Sequence, residues 1–206
     1  MEERSTISPG IYAPGFLRRV FSADHKVIGL QYFFLSLAAV LIGTVLSLLM
    51  RIHLVWPGIS IPFFGVIKPE NYLAFLTMHG TLMVFFVLST VPQNGFGNYF
   101  LPLQLGVSEM AFPKLNAAGF WITLLSFLVL IAAFFVPGGA SGAGWTQYPP
   151  LSAISTAGPG QQLGADLWLV SMGLFCVASV MGAINFITTT LKMRAPGMHL
   201  MRMPLT

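Results

Sequence analysis

VIGLQYFFLSLAAVLIGTVLSLLM, residues 27–50, decides the fold, because 24 residues pass without one charged side chain. At about 1.5 Å of rise per residue, a run of this length crosses roughly 30 Å of hydrocarbon as a helix. A helix is required there because each backbone N–H and C=O must find its partner within the segment. Three further runs repeat the pattern. Asn71 to Val91 is interrupted by His79 alone, Leu115 to Val136 carries no charge, and Leu167 to Leu191 has Asn185 as its only strongly polar member. The expected fold class is therefore an all-α polytopic membrane protein with four transmembrane helices.

Composition agrees. Of 206 residues, 55% are hydrophobic and 8% charged, against about 25% charged in a soluble domain. The net charge of +4 does not point to nucleic acid, since the basic residues fall between and beside the apolar runs rather than along a stripe interleaved with aromatics. The single cysteine, Cys176, excludes an internal disulfide and a four-thiolate metal site. No signal peptide is expected: Glu2, Glu3, Arg18, Arg19, Asp24 and Lys26 precede an apolar run too long for an h-region. The chain has no P-loop, GxGxxG, CxxC, HExxH or GxSxG motif, and no internal repeat.

Charges between the runs predict an orientation. With four crossings, Arg4, Arg18, Arg19, Lys26, Lys114, Lys192, Arg194 and Arg202 fall on one side, and Arg51 and Lys68 on the other. The positive-inside rule then places both termini in the cytoplasm. The outer loop from Pro137 to Asp166 has no Lys or Arg, and its Trp145 and Tyr148 suit an interfacial zone or a compact cap. The loop PQNGFGNYFLPLQLGVSEMAFPK, on the cytoplasmic side, is too apolar for solvent and is expected to fold back onto the helix ends. In the fourth run Ser171, Phe175, Ala178, Gly182 and Asn185 recur at spacings of three and four, giving one narrow, mostly small face for neighbouring helices.

His79 is the feature that invites chemistry. An ionisable group inside a membrane segment is a functional-site hypothesis by default. Tyr72, Phe75, Met83 and Phe86 stand at spacings of four and seven from it, roughly on one helical face. Three readings fit: a metal or haem ligand, a structural hydrogen-bonder, or part of an ion or proton path. Arg51, closing the first run, could donate to a cofactor's oxygens or snorkel to headgroups. Trp145 and Tyr148 could cap a cofactor or anchor the interface.

The segments DHKVIGLQY, LSLLMR, LTMHGTLMVFF, NGFGNYFLPLQLG, MAFPKLN, GAGWTQYPPL and GAINFITTTLKMRAPGM, in that order from Asp24 to Pro204, resemble the opening part of subunit I of the haem-copper terminal oxidases. The similarity is to the A-type, cytochrome c oxidase branch, with a quinol oxidase or a non-catalytic membrane assembly subunit as alternatives. It implies that residues 1–206 are the N-terminal part of that subunit's membrane domain. The spans at about 27–50, 71–91, 115–136 and 167–191 would be the first four of twelve helices, in a bacterial or other energy-transducing inner membrane.

The resemblance also implies roles. His79 matches the first of two axial ligands to the iron of a low-spin haem. Arg51 matches the arginine beside that haem's peripheral oxygen substituent, a formyl group in haem A. Tyr72 and Trp145 match residues lining it. Glu109, in EMAFPK, stands where the family pattern DMAFPR has an aspartate at the mouth of a proton pathway. Asn98, Asn116 and Asn185 match amides near that pathway. Ser179 keeps a hydroxyl expected along it, whereas Ala178 lacks a second one.

By the same likeness, the other axial ligand and the ligands of the high-spin haem and copper lie past Thr206, and His25, His53 and His199 cannot replace them. This chain alone is not expected to reduce oxygen. The resemblance implies an oxidoreductase complex in which the remaining helices are carried by another chain, in a split subunit I, unless the sequence is a truncated product, with subunits II and III, membrane lipid, and cytochrome c or quinol as electron donor.

Overall fold

A computed structural model describes residues 20–62, 64–158 and 160–204. Arg4, Arg18 and Arg19, three of the cations used to predict orientation, lie outside the described residues.

Helix α1, His25–Val55, begins where the charged N-terminal stretch gives way to apolar residues. Asp24 caps it, its carboxylate accepting from the amides of Lys26 at 2.7 Å and Val27 at 3.2 Å. Such a cap satisfies amides that the first turn leaves without helical partners. A two-stranded antiparallel ribbon, β1 (Ser60–Ile61) with β2 (Gly65–Val66), links α1 to α2. Helix α2, Pro69–Thr81, starts on a proline, whose missing amide costs nothing in the first turn.

The chain does not turn back after Val91. From Leu82 to Phe96 it continues as a wider, π-helical run, and then as α3, Gly97–Leu105. The segment expected to be a folded-back loop is therefore helical as far as Leu105, and only Gly106 to Phe112 connects to the next helix. Pro92, inside the wide run, cannot donate an amide and would crowd the carbonyl four residues back in a regular α-helix. The wider turn suits it, and the Thr90 hydroxyl donates five residues back to the Phe85 carbonyl at 2.8 Å. Gly106 ends α3 in the left-handed region at φ 70°, which glycine adopts without Cβ strain.

Helix α4, Pro113–Ala132, extends through a 3-10 turn, Ala133–Phe135, and α5 spans Leu163–Lys192. A short 3-10 turn, Leu200–Arg202, follows. His25–Val55, Pro69–Leu105, Pro113–Phe135 and Leu163–Lys192 are each long and apolar enough to cross a membrane.

Their shared core is aromatic. Phe86 meets Phe127 at 5.5 Å and Phe175 at 5.3 Å between centroids, and Tyr32 meets Phe120 edge-on at 5.2 Å. Around it lie Ile28, Ala39, Leu82, Leu130 and Met172. The small face read on α5 is turned inward: Ser171, Phe175, Ala178 and Asn185 are buried. The Ser126 hydroxyl donates to the Ser171 carbonyl at 2.7 Å, and the Ser171 hydroxyl returns a bond to the Ser126 carbonyl at 2.8 Å. Leu41, Leu48, Leu169, Val177 and Ile187 face outward, as lipid contact allows.

Candidate functional site

His79 sits near the end of α2, where the helix passes Gly43 of α1. Its Nδ1 donates to the Gly43 carbonyl at 2.9 Å. A carbonyl only accepts, so this bond fixes the tautomer and leaves Nε2 as the nitrogen with a free lone pair. Nε2 has no protein partner among the described residues, and the ring is half-buried. Metal-bound histidines characteristically donate their other ring nitrogen to a carbonyl or carboxylate in this way.

Gly43 makes room for Met83 beside this contact. A Cβ there would overlap the Met83 methyl group and lie 3.6 Å from His79 Nδ1. Met83 and His79 thus close around a bare stretch of α1 backbone. On the other flank Trp145 lies over Gly80, where an added Cβ would be only 3.0 Å from the indole Cδ1. The same indole meets Phe85 edge-on at 6.1 Å. Phe86 leaves this face for the core, contrary to its sevenfold spacing from His79. The wider turns from Leu82 onward carry it away, whereas Tyr72 and His79 share the regular α2.

Tyr72 lies seven residues before His79, about 10 Å along the helix. Its ring meets that of His53 at 5.6 Å, tying the start of α2 to the end of α1. Arg51 is exposed, about 12 Å along α1 from Gly43. An imidazole nitrogen flanked by aromatic and thioether groups suits haem iron, for which histidine is a common axial ligand. Among the described residues no three His, Cys, Asp or Glu side chains gather as a metal site. The donor set therefore fits a prosthetic group held through one residue of this chain.

The residues matched to a proton pathway lie away from His79, in three places. Asn116 Nδ2 on α4 donates to Asn98 Oδ1 on α3 at 2.6 Å, and Asn98 Nδ2 donates to the Asn94 carbonyl at 2.7 Å. His25, which sequence reading set aside, joins them: its Nδ1 donates to the Asn98 carbonyl at 2.8 Å. Asn185 is apart, its Oδ1 accepting from the Phe112 amide at 2.9 Å, with Nδ2 buried and without a partner among the described residues. Thr189, one turn on, accepts from the Ala111 amide at 3.0 Å. Together they pin the connection that carries Glu109, whose side chain is exposed.

Ser179 faces a third place, a cavity of about 940 Å³ between the π-helical run, α3 and α5, which Asn94 and Gln104 also line. Asn98 and Asn116 are thus brought into contact, while among the described residues no hydrogen bond joins them to Asn185, Ser179 or Glu109.

The description "Cytochrome C and Quinol oxidase polypeptide I" belongs to the family model that matches residues 27–206. The alternative cytochrome c oxidase subunit 1 of Bradyrhizobium diazoefficiens is 48% identical over 189 residues, covering 92% of this chain and 31% of that protein. Cytochrome c oxidase subunit 1 of Synechocystis sp. is 46% identical over 186 residues, 90% of this chain and 31% of the relative. The corresponding protein of Corynebacterium glutamicum is 42% identical over 185 residues, 89% of this chain. The chain spans about 31% of the length of the curated relatives it matches.

Proposed function

The chain belongs to the cytochrome c and quinol oxidase polypeptide I family, and on that premise we propose that it forms the low-spin haem side of a terminal oxidase. In this reading the complete complex takes electrons from cytochrome c, reduces oxygen to water at a high-spin haem and copper centre, and translocates protons. The observation that carries the proposal is the Nδ1 bond from His79 to Gly43 at 2.9 Å, which holds the imidazole with Nε2 available as an axial ligand.

Haem, proposed as haem A, supplies a one-electron couple when bound; the protein orients it and sets its electrostatics. His79 would hold the iron through Nε2, and the family likeness assigns a further ligand to later helices. Arg51 is positioned on the outer part of α1 to donate to a peripheral oxygen through its fixed fork. Tyr72 and Trp145 supply apolar walls that exclude water. The remaining subunit I helices and subunits II and III are proposed as partners.

Lys26, Lys114 and Lys192 mark the end of the bundle proposed to face the cytoplasm, with both termini on that side. Glu109 gathers protons there. The carboxamides of Asn98, Asn116 and Asn185 and the Ser179 hydroxyl hold water without bearing charge, and so pass protons inward.

The test is to isolate the membrane complex with all its chains, measure iron and copper, and record reduced-minus-oxidised spectra. An A-type low-spin band is expected in the native complex and lost in an assembled His79→Ala variant. A full-strength band in that variant overturns the ligand assignment.

A further inference from the structure

Thr77 lies one half-turn from His79, is fully buried, and takes no part in the site as described so far. Its hydroxyl donates to the Leu73 carbonyl at 3.0 Å, which turns the oxygen lone pairs outward from α2. One of them accepts the Gly144 amide at 2.8 Å. Gly144 immediately precedes Trp145, whose indole rests on Gly80. One hydroxyl therefore ties the outer cap to the helix that carries the histidine.

A second contact steadies the same turn. Trp168 Nε1 on α5 donates to the Thr81 hydroxyl at 2.8 Å, and that hydroxyl donates to the Thr77 carbonyl at 2.8 Å. Thr81, too, is fully buried. In a buried setting, a polar group with no partner costs more than a formed bond gains, so removing the Thr77 oxygen strands the Gly144 amide. Gly144 itself has φ 79°, a backbone shape that glycine adopts at no Cβ cost. The bend suits glycine, but the register of the cap over Gly80 is set by the threonine bond.

We propose that Thr77 is a positioning residue: its hydroxyl holds the Gly144 amide and so seats Trp145 on Gly80, beside His79. The consequence for cofactor electronics rests on the reading of His79 as a haem ligand. The consequence for the cap does not.

The experiment compares native complex with Thr77→Val, Thr77→Ser and Gly80→Ala. Hydrogen exchange by mass spectrometry follows the peptide containing Gly144, and difference spectra follow the low-spin band. Thr77→Val should speed exchange at Gly144 about tenfold, the worth of one hydrogen bond, and shift the low-spin band. Thr77→Ser keeps the oxygen and should restore both. Gly80→Ala pushes on the indole directly and should shift the band, a check that survives if Thr77→Val does not assemble.

Unchanged exchange in Thr77→Val, or failure of Thr77→Ser to rescue it, overturns the seat. Faster exchange with an unmoved band in a haem-replete complex overturns the link to His79. Absence of haem from the native complex defeats the ligand reading instead, while the exchange rates still decide whether Thr77 holds the cap.

Discussion

The His79 ring and the Gly43 carbonyl meet at 2.9 Å across α2 and α1, and the Met83 methyl group fills the space that a side chain at residue 43 would take. Gly43→Ala adds a methyl group that overlaps Met83 and comes within 3.6 Å of the imidazole. Overpacking of this kind costs about 1–3 kcal/mol. The expected outcome is a lower thermal midpoint in detergent together with a shifted low-spin band, because the displaced Met83 terminus must repack beside the imidazole. An unshifted band would show that Met83 does not bear on the ring.

Ser126 and Ser171 exchange hydroxyl-to-carbonyl bonds between α4 and α5, far along the bundle from Glu109 and facing neither Met83 nor Trp145. Interhelical hydrogen bonds of this kind in membranes average about 0.6 kcal/mol, with a maximum near 1.7. Each Ser→Ala change should destabilise the bundle by roughly that amount, and the double variant by less than the sum, since neighbouring sites couple. Denaturant titration of the four species measures this. The low-spin spectrum should stay the same in all of them. Full additivity would mean that the two bonds form independently.

The parts legible in the sequence are those that the membrane itself selects. A lipid interior demands long uncharged runs, so the four helices stand out from residues 27–50 onward. The inward face of α5 was readable because that helix is regular from Leu163 to Lys192. The same arithmetic failed for Phe86, since the helix widens at Leu82 and a seven-residue spacing no longer returns to one face. It failed also for residues 92–105, read as a loop folding back onto the helix ends, where the wider turn instead carries the helix on through Pro92. His79 was conspicuous as a lone imidazole in an apolar run. Its partner was not, because a carbonyl leaves no mark in a sequence and Gly43 looks like any other small residue in a membrane helix. The tie from Thr77 to Gly144 joins residues distant in the chain through a hydroxyl that, read locally, satisfies only its own helix.

Asn116 and Asn98 link α4 to α3 by a hydrogen bond of 2.6 Å. Asn116→Val leaves Asn98 Oδ1 buried without its donor, at a cost of about 1–3 kcal/mol. If these amides also hold a water chain, proton uptake should slow by more than the loss of folded protein explains, while haem content stays constant. Rapid-mixing measurements of proton uptake, normalised to haem, separate the two effects. Normal uptake in a destabilised variant would assign Asn116 to helix packing alone.

Glu109 is exposed on a connection held after it by Asn185 to the Phe112 amide at 2.9 Å and by Thr189 to the Ala111 amide at 3.0 Å, and before it by the Val107 amide on the Pro102 carbonyl at 2.9 Å. The carboxylate is thus free to meet solvent while its backbone is held against α5. Glu109→Gln removes the titratable group and keeps most of the shape, so folding and haem content should be unchanged. Turnover and proton pumping should both fall, because a neutral carboxamide cannot collect protons. Asn185→Leu leaves Glu109 in place but strands the Phe112 amide, and should loosen the connection, seen as faster hydrogen exchange at residues 110–112. The two variants distinguish charge from position: a loss of uptake in Glu109→Gln alone makes the carboxylate the entrance, whereas a loss in Asn185→Leu alone makes the fixed backbone the feature that matters.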